Sequence, residues 1–165
     1  MRLIPRPRAR PRVLVVDDDP VALTLLRGAL ESAGHEALTA ADGRTALRRI
    51  DRERPEILLL DVMLPAVDGW GVLRELADRP HRPRVVIVSG KTSDQDVVRA
   101  FQLGASAYVG KPFGVRALID LVAGVMARTP GEDRARRAEV LAGLTGPDGG
   151  GAPGGVPVAA GVPIL

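Results

Sequence analysis

Short apolar stretches alternate with helical patterns between residues 13 and 129. Three stretches, at residues 13–16, 57–60 and 85–88, are each four apolar residues in a row. Continuous apolarity indicates that both faces of a strand are covered, which is typical of central strands in a parallel sheet. Residues 37–40 and 107–109 predict two weaker strands.

Amphipathic patterns between these strands predict five helices. In the first of them, Leu23, Leu26 and Leu30 recur at helical spacing. The predicted helices cover residues 20–33, 44–52, 69–78, 94–103 and 115–127. Because strand and helix alternate five times, the pattern predicts an α/β fold, a doubly wound parallel sheet with helices on both faces.

Composition limits the chain to one ordinary domain with short extensions. It has 165 residues, 45% of them hydrophobic but only 2% aromatic, which predicts an aliphatic core. Cysteine is absent, so disulfides and thiol nucleophiles are excluded. No apolar run approaches the length of a membrane span, and the N-terminus does not resemble a secretory signal. We therefore expect a cytoplasmic protein without membrane association.

The ends of the chain differ from its middle. Residues 1–11 alternate Arg and Pro and predict a disordered basic arm, whereas residues 12–129 form the predicted domain. Residues 130–145 predict a short helical extension, with its helix at 132–144. Residues 146–165 include seven Gly and four Pro, which predicts a disordered tail.

The net charge of +3 arises from the arm alone. Residues 1–12 hold five Arg and no acidic residue, while residues 13–130 hold 15 basic and 16 acidic residues. A basic face across the domain, the usual electrostatic footprint of DNA binding, is therefore not expected. We therefore do not expect nucleic acid as a partner.

Polar residues follow four of the predicted strands. Asp17 and Asp18 follow the first, Asp61 the third, Ser89 the fourth and Lys111 the fifth. Ligands of open parallel sheets bind at the carboxyl ends of the strands, so these side chains are expected on one rim. Hard oxygen ligands without His or Cys favour Mg²⁺. Together with an ammonium and a hydroxyl, they indicate a site that handles phosphoryl groups.

Four segments carry a family resemblance, and they stand in the chain as VLVVDDDP, ILLLDVMLPAVDGW, VVIVSG and GASAYVGKPF. In this order and spacing they resemble the receiver domain of bacterial two-component response regulators, including chemotaxis-protein-Y-like stand-alone receivers. The resemblance covers about residues 12–129. It implies a flavodoxin-like sheet of five strands in the order 2-1-3-4-5.

The resemblance also implies a role for each rim residue. Asp61 would accept a phosphoryl group from the phosphohistidine of a partner kinase, giving an aspartyl phosphate. Asp18 would bind Mg²⁺ directly and Asp17 through water, with Asp61 and the backbone carbonyl of Met63 as further ligands. Lys111 would pair with a phosphoryl oxygen.

Two residues are expected to transmit the signal. Ser89 would hydrogen-bond the phosphoryl group, and Tyr108 would then move from an exposed to a buried position. In the family this changes the surface of the fourth helix, fifth strand and fifth helix. The resemblance also implies a cis peptide between Lys111 and Pro112.

Simpler interpretations remain beside these roles. An Asp after a strand often only caps a helix, and this is the preferred interpretation of Asp19 and Asp68. His35 and His81 are interpreted as solvated loop residues without a role. Two departures from the family stand out. An apolar Met63 is expected to shield the aspartyl phosphate from water, and Ser106 and Ala107 replace acidic residues that many DNA-binding relatives use in dimerisation.

These observations favour a single-domain response regulator that signals by phosphorylation-dependent protein–protein binding. Its expected partners are a histidine kinase or histidine phosphotransfer protein and a downstream effector, and it is expected to be a monomer or weak dimer. It would catalyse only its own phosphorylation and dephosphorylation. Two alternatives are the receiver part of a transcriptional regulator, with the Arg arm contacting nucleic acid or a separate effector domain, and a phosphatase with an aspartyl-phosphate intermediate.

Overall fold

A five-stranded parallel sheet forms the centre of the molecule in the computed structural model, which describes residues 9–145. The strand order is β2-β1-β3-β4-β5, and it confirms the expected flavodoxin-like topology. The predictions for residues 1–8 of the arm and for the tail lie outside the described residues. The strands are β1 (Arg12–Val16), β2 (Glu36–Ala40), β3 (Ile57–Leu60), β4 (Arg84–Ser89) and β5 (Ala107–Gly110).

The apolar runs of the central strands are fully buried, as the sequence pattern predicted. In β1 and β3, Val13 to Val16 and Ile57 to Leu60 are all at most 1% exposed. The two strands are neighbours, and Val16 is aligned with Leu60. Backbone hydrogen bonding continues past the strand ends, because the N–H of Asp61 donates to the Val16 carbonyl. The residues that follow β1 and β3 are therefore held side by side.

Five helices cover the two faces of the sheet, close to the predicted bounds. They are α1 (Pro20–Ser32), α2 (Gly43–Glu53), α3 (Gly69–Leu76), α4 (Asp94–Gln102) and α5 (Val115–Ala127). Asp19 caps α1 by accepting a hydrogen bond from the Val21 N–H at 2.9 Å. Asp68 caps α3 by accepting one from the Gly71 N–H at 2.7 Å. Both capping predictions are confirmed.

Each face of the sheet has its own core. One core joins the sheet to α2, α3 and α4 and contains the buried aromatic residues Trp70, Phe101 and Tyr108. The other joins the sheet to α1 and α5 and is made of buried aliphatic side chains, with Phe113 packed at its margin. The Arg99 guanidinium lies 4.6 Å from the centre of the Trp70 ring, which ties α4 to α3.

A sixth helix, α6 (Pro130–Thr145), packs against α4. Its start has a reciprocal cap. The Thr129 N–H donates to the Glu132 carboxylate at 2.6 Å, and the Glu132 N–H donates to the Thr129 hydroxyl at 3.2 Å. The helix includes the predicted segment but begins two residues earlier, with Pro130 in its first turn.

The two histidines differ from their interpretation as solvated loop residues. His35 is only 9% exposed, and its Nδ1 has no hydrogen-bond partner among the described residues. His81 is half-buried, and its Nε2 lies 2.8 Å from the Pro55 carbonyl oxygen. This burial could not be predicted from the sequence, because neither histidine belongs to a periodic apolar pattern. None of the helices of residues 9–145 is long and apolar enough to cross a membrane.

Gly43 allows the start of α2 to pass close to the loop before α3. A Cβ at Gly43 would lie 2.1 Å from the Val67 carbonyl oxygen, whereas a Cβ at Gly28 in α1 would meet no atom within 4 Å. We expect Gly43→Ala to lower the free energy of unfolding by about 1–3 kcal/mol, because the backbone must shift. Gly28→Ala is the matched control and should raise it by about 0.5–1 kcal/mol. Urea denaturation measures both, and equal effects of the two substitutions would contradict the close approach.

Candidate functional site

Three carboxylates converge at the carboxyl ends of β1 and β3. Asp17, Asp18 and Asp61 each offer an oxygen, and these oxygens lie within 4.8 Å of one another. Asp17 and Asp61 are buried, at 4% and 6% exposure, whereas Asp18 is exposed. The structure thus brings together the three acidic residues that the sequence singled out.

Lys111 lies between the two buried carboxylates. Its Nζ is 2.7 Å from Asp17 Oδ2 and 2.8 Å from Asp61 Oδ2. Its backbone N–H donates to the carbonyl of Ser89 at the end of β4, so the side chain reaches across that strand. Partial burial acts to lower the pKa of Lys111, but the hydrogen bonds and charges of Asp17 and Asp61 outweigh it and raise the pKa. The ammonium therefore stays charged and neutralises part of the cluster.

Backbone donors fix the second oxygen of each buried carboxylate. The Asp19 N–H donates to Asp17 Oδ1 at 2.9 Å, and the Met63 N–H donates to Asp61 Oδ1 at 2.9 Å. Each carboxylate is thus held by one backbone N–H and by Lys111. The Met63 side chain is 57% exposed. The predicted role of its carbonyl as a metal ligand stays a prediction.

The loop after β4 connects Ser89 to Tyr108. The Ser89 hydroxyl is fully buried and accepts a hydrogen bond from the Lys91 N–H at 3.2 Å. The Tyr108 hydroxyl donates to the Lys91 carbonyl, and the ring is 1% exposed. Burial, and then the negative charge of Asp96, raises the pKa of Tyr108 to about 12. Tyr108 is therefore already in the inward position, and its expected movement stays a prediction.

Sequence reasoning missed two features of this site, the backbone hydrogen bonds of Lys91 and the close approach of Gly69. The Lys91 backbone N–H donates a hydrogen bond to the Ser89 hydroxyl, and the Lys91 carbonyl accepts one from the Tyr108 hydroxyl. Gly69 passes so close to the site that a Cβ there would lie 2.4 Å from the Asp61 carbonyl oxygen. The Asp68–Gly69 pair in the sequence was a detectable signal of a tight turn, whereas backbone contacts such as those of Lys91 leave no mark on residue type. The peptide bond between Lys111 and Pro112 is cis, as the resemblance implied.

The chemistry of this rim suits a divalent cation and a phosphoryl group. Asp17, Asp18 and Asp61 supply only oxygen donors, which is the ligand type that Mg²⁺ prefers. A cation here would offset the charge that Lys111 alone leaves uncompensated. Among residues 9–145, no other group of three His or acidic side chains comes close enough together to hold a metal.

Comparisons with known proteins agree with this geometry. The family model described as response regulator receiver domain matches residues 13–123. The chain is 36% identical to the alkaline phosphatase synthesis transcriptional regulatory protein PhoP of Bacillus subtilis, over 72% of this chain and 49% of that protein. It is 37% identical to the transcriptional regulatory protein PrrA of Mycobacterium tuberculosis, over 72% of this chain and 51% of that protein. The chain thus spans about half the length of these curated relatives.

A solved structure gives the same result. The CheY-like response regulator receiver domain protein of Methanospirillum hungatei superposes with a TM-score of 0.67 at 30% sequence identity. The match covers 72% of this chain and 94% of that one. The family model ends at residue 123, before α6 begins.

Proposed function

The chain belongs to the response regulator receiver family, and from this premise we propose that Asp61 accepts a phosphoryl group in a two-component phosphorelay. The donor is the phosphohistidine of a histidine kinase or a histidine phosphotransfer protein. The observation that carries the proposal is the position of Asp61. Its buried carboxylate is held between the Met63 N–H and the Lys111 ammonium, beside Asp17 and Asp18.

The transfer exchanges one bond for another. A carboxylate oxygen of Asp61 forms a bond to phosphorus while the bond from phosphorus to the histidine nitrogen breaks, and that nitrogen keeps the electron pair. Asp17, Asp18 and Asp61, with the Met63 carbonyl, would hold Mg²⁺, which supplies neutralisation of the negative phosphoryl oxygens. The Lys111 ammonium donates a hydrogen bond to the accepting carboxylate, and it is close enough to pair with a phosphoryl oxygen after transfer.

The loop after β4 carries the signal away from Asp61. Ser89 exchanges its hydrogen bond with Lys91 for one to the phosphoryl group. Because the Lys91 carbonyl also accepts from the Tyr108 hydroxyl, a shift of this loop changes the environment of Tyr108 and of α4. The altered surface binds an effector protein. The chain acts as a phosphoacceptor that catalyses only its own phosphorylation and dephosphorylation, as a monomer or weak dimer in the cytoplasm.

Phosphorylation is testable by intact mass spectrometry after incubation with acetyl phosphate and Mg²⁺. We expect a phosphate-sized mass increase on the wild-type chain and none on Asp61→Asn, because only the carboxylate can form the aspartyl phosphate. Asp68→Asn is the matched control and should be phosphorylated, since Asn also caps helices well. No adduct on the wild type, or an adduct that survives Asp61→Asn, would contradict the assignment.

A measurement of Mg²⁺ binding distinguishes the roles of two neighbouring acidic residues, Asp18 and Asp19. Asp18 belongs to the carboxylate cluster, whereas the exposed Asp19 caps α1. We expect Asp18→Asn to weaken Mg²⁺ binding by about tenfold or more, as measured by isothermal titration calorimetry. Asp19→Asn removes the same charge one residue away and keeps a capping side chain, so its effect should be much smaller. Equal losses would show that general charge, and not ligation, controls binding.

A second function is favoured by the relatives, which are named as transcriptional regulators. In this alternative the chain is the receiver part of such a regulator, or its basic arm contacts DNA. The four Arg of residues 1–11 would give binding that is independent of sequence and sensitive to salt. Fluorescence anisotropy with duplex DNA at about 50 and about 200 mM salt, before and after replacing these arginines by Gln, tests the arm. If the chain signals only by binding proteins, replacing these arginines leaves the DNA anisotropy at the higher salt unchanged.

A further inference from the structure

Helix α6 is anchored to the domain by a buried acidic residue. Asp133 is 6% exposed although it lies in the first turns of a highly charged helix. Its carboxylate accepts hydrogen bonds from the Ser106 hydroxyl at 2.7 Å and from Arg137 at 3.1 Å, and the Arg128 guanidinium lies 3.5 Å away. The anchor is therefore a small network of charged and polar groups.

The domain supplies half of this network. Ser106 directly precedes β5, and Arg128 directly follows α5. The Arg128 guanidinium also donates to the Ser106 carbonyl at 3.2 Å, which orients it towards Asp133. Without α6, the Ser106 hydroxyl and part of the Arg128 guanidinium would face solvent. A hydroxyl and a guanidinium that point at the same position favour binding of a carboxylate, because hydrogen bonds to an ionised group are stronger than those between neutral groups.

The apolar part of the contact is small. Of the 16 residues of α6, only Asp133 and Val140 are buried, while Leu141 and Leu144 pack against the core at half-buried positions. In contrast, α5 has four buried aliphatic residues. Because hydrophobic stabilisation scales with the apolar area that is buried, α6 is held more weakly than α5.

A cleft of about 400 Å³, open to solvent, runs along the contact between α6 and the domain. It is lined by residues such as Leu76, Val85 and Leu103 on the domain and Arg134 on α6. Helix α6 therefore leaves part of this face of the domain uncovered. In addition, the reciprocal cap of Thr129 and Glu132 lies within α6 and its flank, so this cap does not depend on contact with the domain.

We propose that the surface formed by the end of α4, Ser106 and Arg128 is a helix-binding site that α6 occupies within its own chain. An amphipathic helix of a partner protein binds there in exchange for α6. The partner's helix carries a carboxylate followed by aliphatic residues seven, eight and eleven positions later. This is the pattern of Asp133, Val140, Leu141 and Leu144 in α6. The proposal goes beyond the phosphorylation of Asp61 and does not depend on it.

A peptide that copies α6 can serve as the probe. The full-length chain carrying Val140→Asp should release α6, since a buried Val is replaced by a charge, and Glu139→Gln, at an exposed neighbouring position, is the matched control. Each ¹⁵N-labelled chain is titrated with a synthetic peptide of residues 129–145 and followed by NMR, which detects weak binding. A second peptide carries Asp133→Asn.

We expect the peptide to bind Val140→Asp and to return the amide resonances of residues 101–106 towards their wild-type positions. The wild type and Glu139→Gln should not respond, because the tethered α6 outcompetes the free peptide. The Asp133→Asn peptide should bind about tenfold more weakly, since a charge-assisted hydrogen bond is lost.

Three results would overturn the proposal. The peptide binds no variant in which hydrogen exchange shows α6 to be released, or both peptides bind equally well. The third result would show that α6 is an integral part of the fold. In that case Val140→Asp and the milder Leu144→Asp both unfold the whole chain, or both leave the amides of α6 protected from hydrogen exchange. Because Asp61 takes no part in these measurements, their failure leaves the proposed phosphorylation untouched.

Discussion

The ion pairs of Lys111 with Asp17 and Asp61 allow two buried carboxylates to share one end of the sheet. The oxygens of these two carboxylates lie within 4.8 Å of each other and are largely removed from water. Their negative charges would repel each other strongly without a cation between them. The strand order makes the contact possible. Asp17 and Asp61 follow neighbouring strands, whereas Lys111 follows a strand two positions from β3, at about 4.8 Å per step. A long flexible side chain is needed to cross β4, and lysine provides one.

Backbone hydrogen bonds also hold the loops around the site where they meet the carboxylates. Asp17 and Asp61 each accept a hydrogen bond from the backbone N–H two residues later in the chain. The donors are the N–H groups of Asp19 and Met63. These contacts fix one oxygen and leave the other to Lys111. The close approach of Gly69 to the Asp61 carbonyl keeps the start of α3 against this rim. A side chain at Gly69 would therefore disturb the geometry of the site without belonging to it.

The sequence predicted the sheet and the rim well for a physical reason. Strands buried on both faces must be continuously apolar, so β1, β3 and β4 were visible as runs, and the polar residue that ends each run marks the rim. Helix α6 was predicted as a helix but its packing was not, because only two of its sixteen residues are buried and one of these is Asp133. An acidic residue in a charged helix indicates a solvated face. Its partner Ser106 lies 27 residues away, a pairing that only the folded chain shows.

Strand β5 links all of these features within a few residues. Ser106 before it holds α6, Tyr108 within it is bonded to the loop after β4, and Lys111 beyond it neutralises the carboxylates. From Ser106 to Lys111 the chain spans about 16 Å at the rise of a strand. Strand β5 is paired with β4 from Ala107 to Gly110, so the positions of Ser106 and Lys111 at its two ends are set by the same ladder of backbone hydrogen bonds. The surface under α6 and the acidic rim thus lie at opposite ends of one strand.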